Sequence, residues 1–128
     1  MRMSNFQILD LPTFKDSRGQ LVALQDAVPF QFQRLFWISD ADGQTRGGHR
    51  HHINRQALVA ISGSVAVLMH DGRHRATIVL DKPNRCLLVE PDDWHTMTFS
   101  AGAVLLVLAS ARYDPHDYID EDYRPGAA

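Results

Sequence analysis

Two histidines in one short segment are the strongest candidates for chemistry in this chain. The run Arg46-Gly47-Gly48-His49-Arg50-His51-His52 places the imidazoles of His49 and His51 two residues apart. Side chains alternate faces along a β-strand, so both rings point to the same side if this run is a strand. Two imidazoles on one face of a chain rich in Leu, Val and Ile serve either as metal ligands or as proton-transfer groups.

The metal hypothesis has the right spacing but lacks one ligand type. His49-x-His51, followed by Gln56 and Gly63, has the spacing of the metal-binding motif of cupin proteins. That motif carries a carboxylate where Gln56 stands, and a neutral amide is a weak ligand for a transition metal. His95 could add a third imidazole. We therefore predict no metal and no cofactor, and we keep a metal-dependent cupin enzyme as an alternative.

Acid–base chemistry is the competing hypothesis, and it needs no carboxylate. Histidine titrates near neutrality, so it can both take and give protons. His49 and His51 could serve opposite sides, or successive steps, of one proton shuttle. We expect His52 to face the other way, and we expect three further histidines to lie in solvent, namely His70, His74 and His116.

Two arginines and one tryptophan beside turns are candidates for binding. Arg18 stands in a turn before Gly19, and Arg46 adjoins two glycines that let a ligand approach the backbone closely. Guanidinium groups suit phosphate and carboxylate ligands. Trp94 follows the turn Pro91-Asp92-Asp93 and could cover a sugar or a base, or could fill the core.

The elements that must position these side chains are β-strands. Apolar residues alternate with a period of two, and turn residues recur at near-regular intervals, which is typical of a β-sandwich or barrel. The predicted strands are 21–24, 30–38, 57–62, 64–69, 75–80, 86–89, 96–99 and 103–110. We predict a single domain over residues 1–128, with a tail from about residue 113 that packs on a partner subunit or frays.

Composition excludes several classes of function. The chain has 128 residues and a formal net charge of −2, which does not suit a nucleic-acid-binding surface. The longest apolar run, 103–109, is too short to span a membrane, and the N-terminus lacks the apolar stretch of a signal peptide. A single cysteine, Cys86, suits a reducing compartment. We therefore expect a soluble cytoplasmic protein.

Taken together, these motifs resemble the cupin-type nucleotide-sugar 3,4-ketoisomerases over nearly the whole chain, from about Phe14 to Tyr123. The matching pieces are Asp16-Ser17-Arg18-Gly19-Gln20-Leu21-Val22-Ala23, Pro29-Phe30 followed by Arg34, Arg46-Gly47-Gly48-His49-Arg50-His51, Val59-Ala60-Ile61-Ser62-Gly63-Ser64, Asp71-Gly72, Trp94-His95, Val107-Leu108-Ala109-Ser110, Tyr113-Asp114 and Asp117-Tyr118-Ile119. The departures are Arg50 and His52, which replace Ala and Lys, and Phe36, Trp37 and Leu88, which stand where the family often has tyrosines.

The resemblance implies an all-β double-stranded β-helix, the cupin or jelly-roll barrel, that forms a homodimer, with strand exchange as one form. It implies a metal-free isomerisation of a thymidine-diphosphate (TDP) 4-keto-6-deoxyhexose in deoxysugar biosynthesis. His49 would be the base and His51 its partner or proton donor. The substrate-binding residues it implies are Arg18, Arg46, Trp37, Trp94 and His95.

Two other functions fit the same residues. A sugar-nucleotide 3,5-epimerase also removes protons beside a ketone, so histidine chemistry alone does not exclude it. A sugar-nucleotide-binding module without activity, or an accessory partner of a transferase, is the alternative that the missing tyrosines suggest.

Overall fold

The structure is a computed structural model that describes residues 6–123, and strands make up nearly all of its regular structure. One 3-10 helix, Pro115–Asp117, precedes the last strand. The strands are β1 (Ile8–Asp10), β2 (Thr13–Asp16), β3 (Gly19–Val22), β4 (Arg34–Ile38), β5 (Thr45–His51), β6 (Gln56–Ser62), β7 (Val65–His70), β8 (Arg75–Leu80), β9 (Arg85–Val89), β10 (Trp94–Phe99), β11 (Val104–Ala109) and β12 (Tyr118–Ile119).

Two five-stranded antiparallel sheets pack face to face. The first has the order β1-β9-β6-β11-β4, and the second has the order β12-β5-β10-β7-β8. From β4 to β11 the chain crosses between the sheets at every connection except the β7–β8 hairpin, which is the winding of a jelly roll. The predicted all-β cupin fold is confirmed. Among the described residues no helix is long and apolar enough to span a membrane.

The hydrophobic core lies between the two sheets. Leu58 and Leu105 of the first sheet meet Val67 and Met69 of the second, and all four side chains are fully buried. Burying each such side chain stabilises the fold by about 1.5–3 kcal/mol. This packing makes the two sheets a rigid support for the polar side chains on the same inner faces.

A second, smaller core lies on the outer face of the first sheet. Leu11 and Val28, from the N-terminal segment, cover Ala57, Cys86 and further apolar residues there. The Cys86 thiol is buried and free, and its burial raises its pKa to about 12. This cysteine therefore packs as a small apolar residue, as its apolar run predicts.

The hairpin of β2 and β3 pairs with neither five-stranded sheet. Phe14 and Leu21 lie opposite each other in its register, so they share one face, and they are 63% and 60% exposed. A lone two-stranded hairpin is marginally stable in water, and its apolar pair gains nothing from exposure. This hairpin is the part of the described chain that most needs a further contact.

Candidate active site

An irregularity in β5 sets the direction of its functional side chains. His49 lies opposite His95, but the next pair is Gly47 and Thr96, so Gly48 is an extra residue, a β-bulge. Gly47 and Gly48 have φ values of +89° and +81°, a region that favours glycine. The extra residue shifts the alternation of side chains between the two faces of the strand by one position. The side chain three positions before His49, that of Arg46, therefore faces the same side as His49.

Arg46 gains its place in the site through this bulge. It lies opposite Met97, two residues after His95 on β10, and Met97 faces the core. Without the extra residue, regular alternation would turn Arg46 away from His49 and His51. The two glycines that follow Arg46 therefore bring a guanidinium and two imidazoles onto one face.

Three imidazoles form one cluster. The ring centroids of His49 and His51 are 5.0 Å apart, those of His49 and His95 are 5.1 Å apart, and those of His51 and His95 are 6.0 Å apart. His51 and His95 are both 1% exposed, and His49 is half-buried. The predicted pair is thus part of a triad, with His49 in contact with both other rings.

The cluster borders a cavity of about 140 Å³ between β4 and β5, which lie at the same side of the sandwich. Its wall combines polar groups with apolar surface, as small-molecule sites in proteins do. The lining residues are Phe36, Ile38, Arg46, Gly47, His49, Gln56, Leu58, His95, Met97, Val107 and Tyr118. Such a cavity can hold a pyranose ring against imidazoles.

Burial keeps these imidazoles neutral. It lowers the pKa of His51 to about 4, with a further decrease caused by His49 and Arg34 and an opposing effect of Asp117. Burial likewise lowers the pKa of His95 to about 3 and moves that of His49 below its ordinary value. Near pH 7 the rings can therefore act as bases without first losing a proton.

A hydrogen bond fixes the protonation of one of the rings. His95 Nδ1–H donates to the carbonyl of Asp93 at 3.1 Å, which leaves Nε2 as the nitrogen with a lone pair. For His49, burial lowers the pKa and has a larger effect than the Gly47 backbone, which raises it. Both ring nitrogens of His51 are buried without a hydrogen-bond partner among residues 6–123. Such groups are costly, so a ligand that bonds to His51 would gain from it.

The side chains around the cavity do not form a metal site of the kind that the motif spacing suggests. Gln56 lies in the cavity wall and offers an amide where a cupin metal site would offer a carboxylate. Within the described residues no group of three or more His, Cys, Asp and Glu side chains is arranged to hold a metal ion.

Tyr118 lines the site but is not among the binding residues predicted from the sequence. It lies opposite His51 in the pairing of β12 with β5, lines the cavity, and contacts His49 and His51 at centroid distances of 4.7 Å and 4.8 Å. Buried Asp117 holds this strand in place, because its carboxylate accepts from the backbone N–H groups of Ile53 at 2.9 Å and Asn54 at 3.1 Å. The signal available in the sequence was an acidic residue directly before an aromatic one, Asp117-Tyr118.

Three predicted binding residues do not reach this cavity within one chain. Trp37 is 63% exposed, on the face of β4 opposite to Phe36. Trp94 precedes His95 and so faces outward from β10, and its indole N–H is buried without a hydrogen-bond partner in the described part of the chain. Arg18 stands at the tip of the β2–β3 hairpin, where it pairs with Asp16 and its side chain is 88% exposed. Their binding roles remain predictions.

His70 and the tail differ from expectation. His70 is 8% exposed rather than solvated, because its Nδ1 lies 3.3 Å from a carboxylate oxygen of Asp122 and its ring contacts Tyr123. Arg50 donates to the carbonyl of Glu121 and lies over the Tyr123 ring. The tail as far as Tyr123 thus packs on its own chain, and the rest of the predicted tail lies outside the described residues.

Comparisons with known proteins agree with this geometry. The chain is 40% identical over 117 residues to TDP-4-oxo-6-deoxy-alpha-D-glucose-3,4-oxoisomerase of Aneurinibacillus thermoaerophilus. The matched region covers 88% of this chain and 84% of that protein. The structure of the WlaRB TDP-quinovose 3,4-ketoisomerase from Campylobacter jejuni superposes with a TM-score of 0.88 at 39% identity, covering 93% and 95% of the two chains.

Two further comparisons separate family from fold. The QdtA 3,4-ketoisomerase of Thermoanaerobacterium thermosaccharolyticum in complex with TDP has a TM-score of 0.88 at 32% identity, over 94% and 90% of the chains. A 3,5-epimerase of Legionella pneumophila, at 16% identity and a TM-score of 0.77, shares the fold alone. The family model described as "FdtA: WxcM-like, C-terminal" matches residues 4–125, and with the sequence identities above this shows that the chain belongs to that family.

Proposed function

We propose that this protein is a sugar-nucleotide 3,4-ketoisomerase that moves the keto group between C4 and C3 of a TDP-4-keto-6-deoxyhexose. The observation that carries the proposal is the cluster of three neutral imidazoles, His49, His51 and His95, beside a cavity that Arg46 also lines. Relatives at 32–40% identity that are named as 3,4-keto- or oxoisomerases support it.

The reaction is two proton transfers on adjacent carbons. His49, as the base, takes the proton from C3. The electron pair of the C3–H bond forms a C3=C4 double bond, and the carbonyl pair moves to the C4 oxygen. The resulting enediolate loses its C3 hydroxyl proton while the C4 oxygen gains one, which His51 can relay. The His49 imidazolium, whose proton exchanges with solvent, then gives a proton to C4 while the electron pair of the C3 oxygen forms the C3 carbonyl, so atoms and charge balance.

Arg46 suits the charged end of the substrate. It is exposed at the open side of the cavity and lies on the same face as the imidazoles. A diphosphate carries negative charge and several acceptor oxygens, which a guanidinium group binds in a fork geometry. We assign Arg46 to the diphosphate, so that the sugar ring reaches His49 and His51.

The test is to incubate the protein with the 4-keto sugar nucleotide in D2O and to follow the ring by NMR. We expect a 3-keto product with deuterium at the exchanging ring carbon and none at C5. His49→Asn should lower turnover by about 10²–10⁴-fold, as loss of a positioned acid–base group does. His52→Asn, at an exposed position, is the matched control. Deuterium at C5 would favour an epimerase, and binding without any ring change would favour a module without activity.

We also propose that the protein works as a homodimer in which the β2–β3 hairpins are exchanged. The hairpin belongs to neither sheet, and its apolar pair Phe14 and Leu21 is exposed. Arg18, at its tip, would then reach the cavity of the second chain. Light scattering of the purified protein should give twice the chain mass.

We propose that the protein is located in the cytoplasm. The free thiol of Cys86 suits that reducing compartment. Cell fractionation would test this location.

A further inference from the structure

Arg34 places a positive charge beside the imidazole cluster without an anionic partner. It lies on β4, on the same face as Phe36, which lines the cavity. Its Nε is buried and has no hydrogen-bond partner, and its guanidinium makes no ion pair with any residue from 6 to 123. Arg50 and Arg55, which are also half-buried, pair with Asp92 and Glu90.

Aromatic rings hold this guanidinium in place. Its central carbon lies 5.0 Å from the centroid of Phe36 and 5.6 Å from that of Tyr113, within the range of cation–π contacts. Tyr113 in turn lies 5.9 Å from Tyr118, the tyrosine in contact with His49 and His51. The charge therefore lies in the aromatic group next to Tyr118, which lines the cavity, and it is close enough to contribute to the lowered pKa of His51.

A partly buried cation without a carboxylate is costly to keep, and cation–π contacts offset only part of the lost hydration. Such a charge is retained at little net cost when a ligand supplies the negative charge during function. The proposed reaction supplies one, because the enediolate carries a full negative charge on the C4 oxygen and then on the C3 oxygen. The three imidazoles are neutral, so before His49 takes the proton from C3 they carry no positive charge to offset this anion.

We propose that Arg34 is a catalytic residue that stabilises the enediolate oxygens, an inference that rests on the proposed function. The charge of a guanidinium stays constant throughout the pH range of the reaction, so no proton is needed to prepare it. Its fixed position beside the rings removes the reorganisation that water would require as charge develops. Arg46, which is exposed and lies opposite Met97, takes the diphosphate, and the two arginines divide the work between binding and chemistry.

The test compares Arg34→Gln, Arg34→Lys and the control Arg73→Gln, which removes a charge from an exposed turn. We expect Arg34→Gln to lower kcat by about 10²–10³-fold, as loss of a transition-state donor does. The dissociation constant of TDP should stay within about twofold, since the diphosphate is bound elsewhere. Arg34→Lys should recover part of kcat because it restores the charge, and Arg73→Gln should match the unmodified protein.

A second measurement follows the imidazole NMR signals of His51 against pH. Its pKa should rise from about 4 in Arg34→Gln, which removes the positive charge, and should stay closer to that value in Arg34→Lys, which keeps the charge. If Arg34→Gln does not fold, Arg34→Met, which is also uncharged and has a long side chain, takes its place. An unchanged kcat in the uncharged variant, or a loss of TDP affinity with kcat retained, overturns the inference. If the unmodified protein does not isomerise the sugar, the proposed function itself fails.

Discussion

At the scale of single residues, burial converts ordinary histidines into neutral bases. His95 is held by the carbonyl of Asp93, whereas His51 has no hydrogen-bond partner among residues 6–123. His49 contacts both rings and is the least buried of the three. Its exposure and its contact with the cavity make it the ring that a substrate meets, which supports its proposed role as the base.

This electrostatic setting predicts how activity depends on pH. A base works only when it is unprotonated, so kcat/KM falls as pH drops through the pKa of His49 in the free enzyme. Burial lowers that pKa below 6.5, so the acid side of the profile should have its midpoint below pH 6.5. Activity should therefore be nearly constant from pH 7 to 8. A midpoint at pH 7 or above, measured as kcat/KM in mixed buffers, would contradict this assignment.

Sequence reasoning found the histidine pair because a period of two is a local property of a strand. It did not assign Tyr118 to the site, because that side chain meets His51 only through a pairing of strands 67 positions apart in the sequence. It placed Trp37 at the site from family position, but Phe36 takes the inward face of β4. The direction of a side chain in a strand depends on register, which neighbouring strands set.

At the scale of elements, the β-bulge in β5 links the fold to the chemistry. It turns Arg46 toward the imidazoles. Both glycines have positive φ, but their surroundings differ. A Cβ on Gly47 would lie 2.9 Å from the carbonyl oxygen of His95, whereas a Cβ on Gly48 would meet nothing within 4 Å. The two positions therefore form a matched pair for mutation.

Gly48→Ala should cost about 1–3 kcal/mol in the free energy of unfolding, the cost of a strained backbone conformation. Gly47→Ala carries the same strain and must also displace the backbone beside His95. It should therefore be the less stable variant and should lose more kcat, because His49 and His95 separate. Urea unfolding and steady-state kinetics check both. Equal stability and equal kcat in the two variants would show that the close approach to His95 is unimportant.

The strands were predictable where apolar residues alternate between clear turns, and less so elsewhere. The segment 30–33 was predicted as the start of a strand, but β4 begins at Arg34 because Arg55 binds the carbonyl of Pro29 and stacks on Phe30. β1, β2, β5 and β12 were not among the predicted strands, since short or polar strands give little signal. Their pairing depends on partners distant in the chain, which periodicity does not reveal.

At the scale of the whole molecule, several large apolar side chains are exposed to solvent in a single chain. The β2–β3 hairpin exposes Phe14 and Leu21, and the outer face of β4 exposes Leu35 and Trp37. A second copy of the chain that covers these groups would bury apolar area on both. In such a dimer, Arg18 would also reach the site of the second chain, in addition to its neighbour Asp16. Exchange of the hairpin thus accounts for the exposed surface and for the distance of Arg18 from the cavity in one chain.

Exchange predicts complementation between two defective chains. His49→Asn lacks the base, and Arg18→Ala lacks the arginine at the hairpin tip. Co-expressed with different affinity tags and purified through both tags, they form mixed dimers. If each site combines His49 of one chain with Arg18 of the other, one site of the two carries both mutations and its counterpart carries neither. The mixed dimer should then show about half the kcat/KM of the unmodified dimer, as expected for two equivalent sites related by symmetry.

The parental dimers supply the controls for this experiment. Every site lacks the base in His49→Asn, and every site lacks the hairpin arginine in Arg18→Ala, so both should fall far below the mixed dimer. Two differently tagged copies of His49→Asn, purified in the same way, exclude activation by the tags. Mixed dimers no more active than the better parent would show that both groups act within one chain, and full activity of Arg18→Ala would remove that arginine from the site. Activity above both parents requires a site shared between chains, because neither chain alone contains both groups.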